Sequence, residues 1–588
     1  MLMAELDFET TTQPDDCRVW AWAVAYVNAD IPTGYGTDID SFLYFIAAHP
    51  DCLYWFHNLG FDGKFIVDRI MKCGYEWVPE NPKPGQFSTI VSSKGKFYQL
   101  KVCFYTGASV EIRDSLKVFP MSVKKVAKAF NLPEGKGELD YEDFRPVGHQ
   151  LTDEEKDYIR RDVEIVAKAL ATNVEQGLDR MTIGSNAFAF YKKMIGKKHY
   201  EHWFPVLSAQ EDAEIRASYR GGFTYVEPRY AGVDIHGGIS VDYNSMYPSM
   251  LISKFYPVGT PRIFYGRYVR PEARFRRLDV GRQLEVPGRC DGAYPAWDYD
   301  VELYVQRIRC LFTLKPDGIP MVQLRNNGLY GAHEYVRETI EPVDITLTCV
   351  DLQLLFENYD VDVLEWLGGW AFATVHGSVL FGDYVEHWGG VKRTSKGPMR
   401  ALAKLMLNNL YGKFATNPDV TQKRPVLGDD GIVRWELCDP ETREPIYIPV
   451  GTFCTAYARK TLIHAIHDNR ERFVYCDTDS MHLMGTEDPA GIKLHDTDFC
   501  AWKVEGSFTR ARHLRAKCYI WDLNGKLGVT CAGMPDNVKQ LCTFDNFWYG
   551  FSNVDPITGQ IIEGTGKLNP RAVPGGVVLE PRVYELRE

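Results

Sequence analysis

Hydrophobic and polar positions alternate with two different periods along this chain, and the changes of period mark its elements. The apolar runs CRVWAWAVAYV (17–27) and KFYQLKVCFYT (96–106) are rich in β-branched and aromatic residues and predict strands. DSFLYFIAAH and TDEEKDYIRRDVEIVAKALATNVEQ instead repeat apolar residues at helical spacing. The second opens on a capping box, Thr152 with Glu155 three residues on. Interleaved strands and helices over 1 to about 185 predict an α/β domain.

Beyond a transition at 186–253, GGISVDYNSMYP predicts another strand. Residues 261–300, rich in Arg, Pro and Gly, predict a surface insertion. GPMRALAKLMLNNLYGKF predicts a long helix over 397–414, and NPD, GDDG and DPETREP predict turns over 417–445. FVYCDTDSMHLMG (473–485) reads as a strand, followed by a basic stretch and a tail containing VPGGVVL. There are no internal repeats.

The length, 588 residues, predicts about four domains at ~150 residues each. Hydrophobic residues at 45% and charged residues at 25% exclude a disordered or fibrous chain. The fourteen cysteines contain no CxxC, zinc knuckle or dense disulfide framework, so reduced thiols are expected. Glu5, Asp7 and Glu9 stand where a signal peptide needs an apolar run, and no stretch reaches the ~20 apolar residues of a membrane span. A soluble intracellular protein is expected. The net charge of −11 argues against a nucleic-acid partner, unless the acids have a local purpose.

Two sets of carboxylates supply one. In Asp7-Phe8-Glu9 the two acids share a strand face, and Tyr158 and Asp162, four apart, share a helix face. Converging with Asp62, they would repel one another unless hard cations stood between them. Each alone reads better as a cap or a surface charge. The second set is Asp242, in VDYNSMYP, with Asp477 and Asp479, which a continuous strand would aim to one side of an apolar run. Buried carboxylate pairs are costly without metal, and the spacing of a calcium loop is absent. On the predicted helix, Lys404, Asn408 and Tyr411 share a face that could hold a nucleotide's phosphates and ring, with Lys392 upstream.

In this order the motifs resemble family B DNA polymerases (DNA polymerase type B, organellar and viral), specifically the protein-primed subgroup typified by the replicase of small Bacillus podoviruses. The resemblance runs from DFETTT to VPGGVVL. It implies a multidomain α/β and α+β fold, with an RNase H-like 3′-to-5′ exonuclease domain at 1–185 followed by a right-hand polymerase. The palm would occupy 186–253 and 448–530, the fingers 380–415 and the thumb 531–588. Insertions at 254–379 and 416–447 would contact a terminal protein and DNA, and give processivity and strand displacement, respectively.

By the same resemblance Asp7, Glu9, Asp62 and Asp162 are the exonuclease's metal ligands, and Tyr158 orients the attacking water. His57, Asn58, Phe61, Ser115 and Leu116 hold the single-stranded primer end, with Lys136 an auxiliary contact. Glu138 stands where the family usually has Asp and is a further candidate ligand. Tyr219, Gly221 and Gly222 form the element that passes the primer between sites. Asp242, Asp477 and Asp479 carry polymerisation, with Asp242 and Asp477 the foremost metal ligands and Tyr243 beside them at metal and nucleotide. Tyr247 rejects a 2′-hydroxyl, and Lys392 and Lys404 bind triphosphate. Asn408, Tyr411 and Gly412 meet the template and nascent pair, while Thr455, Arg459, Lys517 and Tyr519 contact template or primer.

The implied cofactor is Mg²⁺, with Mn²⁺ an alternative, two ions per site. The implied partners are template and primer DNA, deoxynucleoside triphosphates and a terminal protein, with the polymerase alone or paired with that protein in the host cytoplasm and no membrane involved. The alternatives are a nuclease whose C-terminal part only clamps DNA and a non-catalytic replication protein. An arginine-rich piece near 270–298 and a shortened stretch between Lys517 and Cys531 depart from the family. Eight of the acids are thus candidate metal ligands, and setting them against cations takes −11 to −3. Basic charge is also concentrated, with seven Arg against one Glu and one Asp over 261–283. A negative total is therefore compatible with DNA binding.

Overall fold

The computed structural model describes residues 2–132, 139–140, 143–270, 302–324, 327–331 and 333–588. Lys136, Glu138 and nearly all of the arginine-rich piece lie outside the described residues.

The N-terminal layer is an eight-stranded mixed sheet in the order 34–36, 19–26, 2–10, 52–56, 109–114, 97–103, 86–91, 76–77. Its central strand, Leu2–Thr10, runs antiparallel to Val19–Tyr26 and parallel to Cys52–Phe56. Strand alternation sends Ala4, Leu6 and Phe8 to one face, where they pack with Phe42 of helix Ile39–Ala48 and Phe65 and Ile66 of helix Leu59–Lys72. Glu5, Asp7 and Glu9 are left for the opposite face. There the long helix Asp153–Glu175 buries Tyr158, Ile159, Val163 and Val166 against Trp20, Ala23 and Trp55. Its start is doubly fixed. The capping box of Thr152 and Glu155 is present, and Glu155 also accepts from Arg145 (2.8 Å) and His149 (2.7 Å). The Arg145 guanidinium lies 4.3 Å over Trp20. The α/β expectation for this region holds.

A seven-stranded antiparallel sheet forms the second layer, in the order 526–531, 518–523, 502–515, 234–243, 480–484, 473–477, 224–226. One correction falls here. FVYCDTDSMHLMG is not one strand but a hairpin, Phe473–Asp477 and Ser480–Met484, turning tightly through Thr478 at φ 59°. Asp477 and Asp479 therefore sit at two corners of a turn. Likewise GGISVDYNSMYP is a strand, Asp234–Tyr243, then a left-handed Ser245 and helix Met246–Ser253. The helix Gly397–Phe414 has the expected bounds. Helix Ile448–Asp468 was not foreseen; nearly all its length is buried in the largest core, with Met250, Tyr384, Met406 and Leu410.

Within 254–379, four strands, Phe255–Phe264, Leu303–Leu314, Val343–Thr348 and Tyr359–His376, form a sheet of their own. The turn-rich 417–445 folds into two small hairpins, and Trp435 of one packs edge-on to Phe97 at 5.5 Å. The hairpin Lys567–Val573 and Gly576–Arg582 docks on the same N-terminal layer: Val573, Val577 and Val578 join its core, and the Gly575 N–H donates to Asp68. No described helix is long and apolar enough to cross a membrane. Among the described residues, twelve cysteines are free, as expected.

Candidate active sites

The first candidate site lies on the acidic face of strand Leu2–Thr10. Glu9, Asp62 and Asp162 are each less than a tenth exposed. Asp62 stands in the first turn of helix Leu59–Lys72, and Asp162 comes from the long helix packed on the strand. Burial, and next the charge of Asp7, holds the Asp62 carboxyl well above the usual range. Asp7 and Asp62 are thus close enough to repel one another, a state a hard divalent cation would relieve.

The rim is organised by Asp114, which had no signal in the sequence. Its Oδ1 accepts from the backbone N–H groups of Asn58 (3.0 Å) and Leu116 (2.9 Å), and Lys117 pairs with it at 2.8 Å. Asn58 adopts φ 82° at this bond. It is exposed, and Phe61 and Leu116 are partly so, leaving all three available to a strand end. Ser115 is not. It is fully buried, bridging His57 Nδ1 (3.0 Å) and Glu5 Oε1 (3.1 Å), so it cannot touch DNA directly as the resemblance implied. Glu5 itself was missed, although it continues the alternation of Asp7 and Glu9.

The second candidate site sits where strand Asp234–Tyr243 meets the Asp477–Ser480 turn. The Tyr243 N–H donates to the Asp479 carbonyl at 2.6 Å. The Asp242 carboxyl is pushed up to about 7 by burial, then by the charges of Asp479 and Glu505. That of Asp479 rises to about 6 through burial and, among charges, chiefly Asp477. Asp477 is differently placed. Lys517 Nζ donates to both its oxygens (2.8 and 2.5 Å), and Thr224 and Thr478 donate to Oδ1 (2.8 and 3.1 Å). The expectation made Asp242 and Asp477 the foremost ligands; here the Asp242 carboxyl feels Asp479 first among charges, while Asp477 is held by Lys517 and two threonines. Glu505, which lay in the basic stretch, was missed. The Tyr243 ring is turned into the core against Trp502 (5.2 Å), leaving only its backbone for metal or nucleotide.

Cations face these acids. Lys392 donates to Ser245 (3.0 Å), and its ammonium is held below its ordinary pKa by burial and then by Lys404 and Arg400, with Asp242 opposing. Arg400, Lys404, Asn408 and Gly412 follow one another at four-residue spacing along the exposed face of helix Gly397–Phe414, whose other face buries Leu402, Met406 and Leu410. Tyr411 stacks on Tyr247 with ring centroids 3.7 Å apart. The predicted Lys-and-ring face therefore exists, with Arg400 as an unforeseen third cation.

Gly222 touches this site. A Cβ there would lie 2.6 Å from Thr478 Oγ1, and Thr478 N–H donates to the Phe223 carbonyl at 2.7 Å. Its φ is not positive, so close approach rather than turn geometry demands glycine. Gly221 has open space, and Tyr219 packs partly buried on the core. Thr455 and Arg459 are corrections. Thr455 is buried and bonds its own helix at Gly451 and Thr452. Arg459, 3% exposed, pairs bidentately with Asp351 and donates to the carbonyls of Arg220 (2.6 Å) and Gly221 (2.8 Å). Neither is free to contact DNA; Arg459 instead holds the YRGGF loop. Lys517 is exposed in a left-handed conformation, and Tyr519 is half-buried beside Tyr475, His513 and Trp521.

Among the described residues, no three His, Cys, Asp or Glu side chains form a ready metal cage. Mg²⁺ commonly takes one or two carboxylates and completes its shell with water and substrate phosphate, which is the donor set both sites offer.

A family profile described as "DNA polymerase type B, organellar and viral" matches residues 52–147 and 139–497. The DNA polymerase of Bacillus phage Nf is 41% identical over 610 residues, covering 100% of this chain and 99% of that one. That of Bacillus phage phi29 is 39% identical over 612 residues, with the same coverage. The solved structure of phi29 DNA polymerase with primer-template DNA and incoming nucleotide superposes with a TM-score of 0.88 at 38% identity, covering 100% of both chains.

Proposed function

Because the chain belongs to the organellar and viral type B DNA polymerases, we propose that its two carboxylate sites act on one primer end, the second extending it and the first trimming it. The protein is a phage-type replicative DNA-directed DNA polymerase. The observation that carries the division of labour is the pair Asp242 and Asp479, half-buried, mutually repelling and faced by Lys392 and Lys404.

In the extending site Asp242 and Asp479 would hold Mg²⁺, two ions with substrate bound and Mn²⁺ as an alternative. In the trimming site Asp7, Glu9, Asp62 and Asp162 would do so. The bound ions supply a lowered pKa at the attacking hydroxyl or water and charge stabilisation at the leaving group. The chain's own groups do the rest. Lys392, Lys404 and Arg400 bind the triphosphate and offset charge that develops on it. Tyr247, backed by Tyr411, closes the space a 2′-hydroxyl would need. Lys517 holds Asp477 aside and stands where the primer terminus arrives. Asn58, Phe61 and Leu116 receive the single strand at the trimming site, and Tyr158 orients the water. The Tyr219–Phe223 loop, tied to the extending site at Thr478 and to the core through Arg459, lies on the primer's path between them.

The finer reading is initiation on a terminal protein's hydroxyl, with the four-stranded sheet of 254–379 as its contact surface. Two hairpins docked on the N-terminal layer support strand displacement. The protein would work in the host cytoplasm.

Asp242→Ala is expected to abolish Mg²⁺-dependent primer extension by at least ~100-fold while leaving degradation of single-stranded DNA intact, and Asp62→Ala the converse. Loss of both activities in either variant would sink the two-site reading. Transfer of labelled deoxyadenylate to a candidate partner protein tests the priming step.

A further inference from the structure

Glu5 is a buried carboxylate with no part in the chemistry above. It lies two positions before Asp7 on the same strand face and is 1% exposed, with Oε2 lacking any hydrogen-bond partner. Its Oε1 is hydrogen-bonded to Ser115 Oγ at 3.1 Å. That hydroxyl, itself fully buried, lies 3.0 Å from His57 Nδ1, and the other ring nitrogen, Nε2, bonds the Met121 carbonyl at 2.7 Å. A carbonyl can only accept, so Nε2 carries a proton, while the Ser115 hydroxyl, with one proton to give, joins Nδ1 on one side and Glu5 Oε1 on the other. His57 is thereby pinned from both edges, within reach of the charges of Asp114 and Asp162, and next to exposed Asn58.

We propose that Glu5 is a positioning residue of the trimming site: through the Ser115 hydroxyl it fixes the His57 ring where the single-stranded 3′ end is received. The inference rests on the exonuclease reading. Ser115 is bound on one side by Glu5 and on the other by His57, and the Ser115–Lys117 turn is held by Asp114. Among the described residues, the Ser115 hydroxyl is the hydrogen-bond partner of the ring's Nδ1 edge. Without Glu5 the hydroxyl can rotate toward other acceptors, and the ring loses its partner for part of the time. The penalty falls on binding of the strand end rather than on the attack, because Glu5 is buried behind Ser115 and acts only through it.

The test uses the full chain with Mg²⁺ and a single-stranded oligonucleotide, measuring KM and kcat for 3′ trimming. Glu5→Leu and Ser115→Ala are each expected to raise KM about fivefold, the worth of roughly one hydrogen bond, with kcat unchanged within about twofold. Glu5→Gln, whose amide can donate to or accept from the hydroxyl, is expected to restore KM. Glu5→Leu combined with Ser115→Ala should be no worse than Ser115→Ala alone, since both cut one chain. Primer extension on a duplex reports that the variants remain folded; if Glu5→Leu fails that control, Glu5→Gln and Ser115→Ala carry the test. A fall in kcat at constant KM, additive effects in the double variant, or an unchanged KM in Ser115→Ala would each overturn the proposal. Absence of trimming by the unaltered protein would overturn the exonuclease reading itself, and is seen before any variant is made.

Discussion

Arg459 separates what a motif implies from what a residue does. The resemblance makes it a DNA contact, but its guanidinium is fully engaged by Asp351 and two loop carbonyls in a nearly dry interior. Removing one partner of such a pair leaves a buried charge uncompensated. Arg459→Ala is therefore expected to destabilise the protein by about 3 kcal/mol. The double variant Arg459→Leu with Asp351→Leu should recover much of that, since an apolar pair of similar size tolerates burial. Urea unfolding of both variants checks this; equal losses would mean the pair is not what the charge is buried for. A DNA contact alone would instead weaken primer binding without moving the unfolding midpoint. Thr455 and Ser115 share the lesson. Residue type and spacing locate them correctly in the chain, but whether a hydroxyl faces solvent depends on packing by segments a hundred residues away, which no local pattern encodes.

At the scale of elements, legibility followed how local the determinants are. The helix Gly397–Phe414 was readable to its ends because Pro398 and the apolar period both lie within it. The strand Leu2–Thr10 was readable as a face of acids, because the alternation that buries Ala4, Leu6 and Phe8 lies within it. The Asp477–Ser480 turn was not, because alternation continues through a two-residue reversal as if the strand did. Helix Asp153–Glu175 was legible through its cap, and the cap has a consequence. Burial alone would raise the Glu155 carboxyl, but hydrogen bonds from Arg145, the Thr152 N–H and His149 outweigh it and hold the carboxyl below its ordinary value. A depressed folded pKa means stability that is present above the unfolded value, about 4.3, and is lost as pH falls through the folded one. Glu155→Gln should therefore lower the thermal midpoint at pH 7, and the gap from the unaltered protein should narrow as pH drops below about 4.5. A gap independent of pH would show that charge at Glu155 is immaterial and only the capping geometry counts. Because the same helix carries Tyr158 and Asp162, trimming should weaken alongside the midpoint.

The whole molecule joins segments that the chain keeps far apart. The hairpin containing Trp435 and the one containing Gly575 and Gly576 both seat on the N-terminal layer, around Lys64, Asp68 and Phe65. These contacts connect the N-terminal layer to the segment of 417–445 and to the C-terminal hairpin. The joint depends on two glycines with positive φ: at Gly576 a Cβ would lie 2.5 Å from the Phe65 ring, and at Gly575 2.1 Å from the Cys17 carbonyl. Any side chain there must push the hairpin off its seat or strain the backbone. Gly576→Val is thus expected to leave incorporation of a single nucleotide unchanged, since no residue of the Asp242 and Asp479 site is touched. If the seated hairpin helps to retain the duplex, the length of DNA made per binding event should fall severalfold when a trap captures released enzyme. Products of unaltered length in the presence of the trap would mean that the docking of this hairpin stabilises the fold without retaining the DNA.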